Sequence, residues 1–166
     1  MMTFLESFQE ELAMEAEGTR KMLALVPADK FDWTPHPKSM KMMDLAIHIA
    51  DIPKWIGLGL KTELLDLAIN PYVPKVLNTP DEIVAYFNQN VEDAKQDLSA
   101  FTDDVLEGSW QMNQGEMVLV KLTKLQTVRH AFCQMVHHRA QLGVYLRLLD
   151  IPIPGVYGPS ADEVYG

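Results

Sequence analysis

Only one cysteine, Cys133, occurs in the chain, so no intrachain disulfide can form. A reducing, cytoplasmic setting is the simplest one for such a sequence. Cys133 falls inside a helical pattern, where a buried and inert thiol is the expected role. Long apolar runs are also missing. No segment approaches the roughly 18 uninterrupted apolar residues of a membrane span, and no membrane partner is expected. The start, MMTFLESFQEELAMEAE, has neither a basic beginning nor an extended apolar stretch, so it does not read as a signal peptide. Positive charge is scarce: 14 Lys and Arg stand against 23 Asp and Glu, a formal net charge of −9. A surface of that sign repels phosphate backbones, and no nucleic acid is expected as a partner. Nothing in the chain marks a phosphate loop, an acyl-transfer triad or a nucleotide-binding fold.

What is present is apolar residue in quantity. Hydrophobic types make up 48% of 166 residues, enough for a core, and the length fits a single domain spanning 1–166. Four helical patterns carry these residues. The first opens at Thr3 with Glu6 three positions on, a capping box, and places Phe4, Leu5, Phe8, Leu12, Ala16 and Leu23 on one face. Glu15 and Thr19 interrupt that face. The second runs from a cap at Ser39 through MKMMDLAIHIADIPKWIGLGLKTELLDL, with Pro53 predicting a kink near His48 to Asp51. The third starts at Thr79, with Pro80 in the first turn and Glu82 completing a box. Val84, Phe87, Val91, Ala94 and Leu98 form its stripe. The fourth spans about Thr123 to Asp150, and Pro152 and Pro154 stop it. Between the third and fourth, GSWQMNQGEMVLVKLTK is the only stretch with strand character, either a short hairpin turning at NQG or an irregular crossover. Four helices with one long crossover predict an all-α four-helix bundle, whose sites are built in the core from facing helices.

Helical phase then selects residues. Thr127, His130, Gln134, His138, Gln141 and Tyr145 share one side of the fourth helix, beside the apolar stripe of Ala131, Met135, Leu142, Leu146 and Leu149. On the second helix Asp44, His48, Asp51 and Trp55 align in the same way. Two helices each offering an inward imidazole could ligate a divalent ion, because neutral imidazole suits zinc and nickel. His130 and His138 lie about 12 Å apart along the axis at about 1.5 Å per residue, too far to share one ion. The partner at the right spacing for His138 is Gln134, whose amide oxygen is a weaker donor. Spacing alone leaves hydrogen-bonded core histidines as the simpler reading, and Asp44 and Asp51 as a solvated or capping pair.

LAIHIADIPKW at Leu45 to Trp55, with HHRAQLGVYLRLLDIPIPGVYGPSADE at His137 to Glu163 and FDWTPHPKSM at Phe31 to Met40, resembles the DinB-like (DinB/YfiT-type, damage-inducible) family over nearly the whole chain. The resemblance implies an up-down-down-up four-helix bundle with a long crossover and a C-terminal tail, often a homodimer. It also implies a divalent metal, nickel or zinc, held by three histidines. Two of those positions are His48 and His138, and the third is occupied by Gln134, which weakens the set. The activity implied is that of a metal-dependent enzyme, hydrolase-like or transferring a low-molecular-weight thiol to an unknown small-molecule substrate. The alternative is a metal-free relative that binds a small ligand or serves in stress response. A homodimer is also suggested by Ile56, Leu58 and Leu60, which point to several sides of the second helix.

Overall fold

A computed structural model describes residues 2–163; position 1 and the last three residues of the expected tail, 164–166, lie outside the described part. The chain is mostly helical: α1 (Phe4–Leu23), α2 (Met42–Asp51), α3 (Lys54–Lys61), α4 (Pro80–Ser99) and α5 (Lys124–Leu148). It also contains three strands, β1 (Leu64–Asp66), β2 (Ser109–Gln114) and β3 (Met117–Thr123). An all-α description with four helices is therefore too simple. There are five helices among the described residues, and a small sheet flanks them.

The extra helix comes from Pro53. Its missing N–H and its ring do more than bend the second helix. α2 ends at Asp51 and α3 begins at Lys54, and across the break the bonds tighten to three-residue spacing, Ile52 N to Ile49 O at 3.3 Å and Trp55 N to Ile52 O at 3.0 Å. α2 also starts later than expected. Lys41 is its N-terminal flanking residue and gives no side-chain cap, while Ser39 closes a turn on His36.

The sheet joins two parts of the chain that sequence pattern kept separate. Glu63 to Leu67 leaves the helical path and β1 pairs in parallel with β2, Leu64 opposite Gln111. β2 and β3 form the antiparallel hairpin, Trp110 opposite Leu122, with an irregularity between Met112 and Asn113. Gly115 makes the turn at φ 62°, a left-handed conformation that a side chain resists. The Asp66 carboxylate accepts from the Gly115 N–H at 2.9 Å, tying that turn to the end of β1.

The expected caps are mostly present. Thr3 with Glu6 and Thr123 with Gln126 form reciprocal capping boxes. Thr79 caps α4, but the Glu82 carboxylate turns to the Asn78 N–H instead of closing the box. One hydrophobic cluster runs through the helices, with Leu12, Leu23, Ile49, Phe87, Met135 and Leu146 all near-completely buried. α1 packs against α4 and α5, and both α2 and α3 pack against α4 and α5. Ile56 and Leu60 are buried in this same core and Leu58 is half-buried, so these three do not call for a second chain. Cys133 is exposed, contrary to the buried thiol expected of it.

Candidate functional site

α2 and α5 bring two imidazoles into contact. The rings of His48 and His138 lie 4.5 Å apart between centroids, at an interplanar angle of 83°. Both are half-buried. Burial depresses the pKa of His48 below 6.5, and the neighbouring His138 adds to the effect against an opposing pull from Asp51. Burial also lowers His138, opposed by its bond to Gln141 and assisted by His137. His138 Nδ1 lies 2.8 Å from Gln141 Oε1, and since that oxygen can only accept, Nδ1 carries the proton. The free lone pair of His138 is thereby on Nε2.

Gln134 sits one turn before His138, as the helical phase requires, but it is engaged elsewhere. Its amide nitrogen lies 3.2 Å from His130 Nε2 and donates to it. The structure does not gather these residues into one strong chelate. Among the described residues no group of three His, Cys, Asp or Glu is placed to hold a metal ion. Two imidazoles and one amide oxygen, a weaker donor than imidazole, are a poor fit for a zinc or nickel ion that is held by three strong donors.

The same side chains border a cavity. It has a volume of about 200 Å³ and is walled by Trp55, Trp110, Met112, Val120 and Leu122, with His48, His130 and Gln134 supplying its polar edge. His138 is not part of its lining. Thus His48 and Gln134 address the cavity, and His138 touches His48 from outside the lining. The hairpin forms one wall. Trp110 is 2% exposed, donates from Nε1 to Thr62 Oγ1 at 3.1 Å, and packs edge-on with Trp55 at 6.3 Å between rings. A larger groove of about 430 Å³ lies on the far side of α5, under the tail. Its two arginines are already paired, Arg139 with Glu15 and Arg147 with Asp162, each at 2.6 Å.

The model of the DinB family matches residues 1–164. The chain belongs to the DinB family. Three solved structures support the fold. A DinB-like protein from Bacillus cereus shares 20% identity over 95% of this chain and 100% of that one, with a TM-score of 0.73. A DinB-like protein from Bacillus subtilis shares 16% over 90% and 97%, at 0.71. A putative member of the DinB family from Exiguobacterium sibiricum shares 20% over 93% and 98%, at 0.68. No curated protein matches the chain. DinB membership accounts for the architecture.

Two clusters in this DinB chain escaped the sequence reading. Asp51 is not a solvated or capping residue. It is 4% exposed, and its carboxylate accepts from Tyr72 Oη at 2.7 Å, from Lys54 Nζ at 2.9 Å and from Tyr86 Oη. Burial alone would raise its pKa, but these donors outweigh burial and leave it below 3.8. The second cluster is Arg139 with Glu15 and Thr19. The interrupted face of α1 was the available signal for it, since a carboxylate and a hydroxyl one turn apart ask for a donor from a facing helix.

Proposed function

We propose that this DinB-family protein binds a small molecule in the cavity beside His48, without a resident metal. The observation that carries this reading is the division of the expected ligand set. His48 and Gln134 edge an aromatic-walled cavity, Gln134 donates to His130, and His138 lies outside the lining. A concave, mostly apolar space with a few convergent polar groups is the usual form of a small-ligand site. Measuring zinc and nickel in protein purified without chelators or affinity metal tests it. The reading requires far less than one equivalent, with the same trace in His48→Ala.

A second reading is favoured by the 4.5 Å approach of the two rings. In it His48, His138 and the Gln134 oxygen hold nickel or zinc weakly, as the site of a hydrolase-like or thiol-transferring enzyme. Near-stoichiometric metal in the wild type, lost in His48→Ala, would favour this reading over the first. A homodimer in the cytoplasm is part of either proposal by family resemblance, and sedimentation at micromolar concentration checks the assembly.

A further inference from the structure

The walls of the cavity narrow the chemistry of what it takes. Among the described residues lining it there is no Asp, Glu, Lys or Arg. An ionised ligand would leave water for a space with no counter-charge, which strongly disfavours it. The volume is about 200 Å³, against the roughly 150 Å³ of an engineered apolar cavity that takes benzene. One ring with a small substituent fills such a space, and a nucleotide or a fatty chain does not fit in it. Trp55 and Trp110 meet at 71°, forming a corner against which a third ring can pack edge-to-face. The thioether of Met112 borders the same space and is a favourable neighbour for an aromatic edge. Polar groups are few in the lining: His48, His130 and Gln134 on one side, with the Thr127 hydroxyl and the Trp55 indole N–H, enough to meet one hydroxyl or amine.

We infer that the cavity between α2, α3, α5 and the β2–β3 hairpin recognises an uncharged single-ring aromatic carrying one small hydrogen-bonding substituent, a phenol-like molecule. The assignment rests on the proposal that this cavity is the ligand site.

The test uses the full chain at pH 8 with four probes, phenol, toluene, cyclohexanol and benzoate, followed by calorimetry and by the indole N–H resonances in NMR. Phenol is expected to bind saturably at one equivalent. It should shift the Trp55 and Trp110 signals and leave Trp33, which packs on Tyr145 away from the cavity, unmoved. Toluene lacks the hydroxyl and should bind about threefold to tenfold more weakly. Cyclohexanol keeps the hydroxyl but loses the ring interactions, with a similar loss of about threefold to tenfold. Benzoate should lose a hundredfold or more, on the order set by an unpaired buried charge. Val120→Trp, which fills the cavity from the hairpin side, should abolish phenol binding. Cyclohexanol binding as tightly as phenol, or benzoate binding best, would overturn the ligand class while leaving the cavity as the site. Failure of every neutral probe to move Trp55 or Trp110 at millimolar concentration would overturn the site and the class together.

Discussion

His48 and His138 press ring against ring in a half-buried position, and burial disfavours their charged forms. Because both folded-state pKa values lie below 6.5, the unfolded chain takes up protons first on acidification. Stability is therefore fully present above about pH 6.5 and drains as pH falls from there through the folded values. Urea midpoints measured from pH 8 to pH 5 should decline in that window, and His138→Gln should flatten the decline. At position 134 an imidazole would point into the same space as His138 and donate more strongly than an amide. Gln134→His should raise zinc or nickel affinity by more than Gln134→Ala lowers it, as read by metal titration. Equal metal content in the wild type and both variants would remove any metal site from this region. Helical phase places His48 on one core-bordering face and Gln134 and His138 on another, and only the family resemblance joins the two faces, because periodicity fixes the side a residue occupies and not the helix it meets. Neither signal could reveal that Asp51 would collect two phenols. Tyr72 and Tyr86 lie 21 and 35 residues away from Asp51, and no local pattern links them.

At the scale of elements, the caps were the most legible features, since they depend on residues three apart. Thr123 both ends β3 and caps α5, so one residue sets where the hairpin stops and the longest helix starts. Thr123→Ala should cost about 1 kcal/mol of stability in urea, the usual loss for a capping hydroxyl. The same substitution should loosen the wall of the cavity, because the register of β3 is anchored at that point opposite Ser109. The helical pattern of the second helix, kinked by Pro53, extends through Leu67. Leu64 and Leu65 do favour helix, but pairing with Gln111 and Met112 overrides that preference, as tertiary context routinely does. The strand character of residues 109–123 was visible from Trp110, Val118, Val120 and Thr123. Its parallel partner was not, because β1 offers three residues and no alternation.

Across the whole molecule, the buried pair of Arg139 and Glu15 fastens α5 to α1 and recruits the tail. Their side chains are 4% and 7% exposed, and Arg139 also donates to Thr19 Oγ1 and to Tyr157 Oη. Arg139→Ala should cost about 3–5 kcal/mol, because it strands the Glu15 carboxylate away from water. Replacing both partners by apolar residues of similar volume should cost far less, and a urea series on the two variants separates these outcomes. No helix among the described residues is long and apolar enough to cross a membrane.

Two irregular segments, the loop that carries Tyr72 and the tail that carries Tyr157, are each pinned to a buried carboxylate by a phenol, Tyr72 on Asp51 and Tyr157 on Glu15. Burial and the accepting carboxylate raise both phenol pKa values above 10.0. The stabilisation from these phenols is thus present below about pH 10 and is lost as pH rises through the folded values. Near-ultraviolet absorbance gives that coupling a colour. In an alkaline titration Tyr72 and Tyr157 should contribute phenolate signal late, above the usual phenol range. Tyr72→Phe and Tyr157→Phe should each remove part of the late signal. The molecule thereby carries its own optical gauge of whether its loop and its tail are fastened.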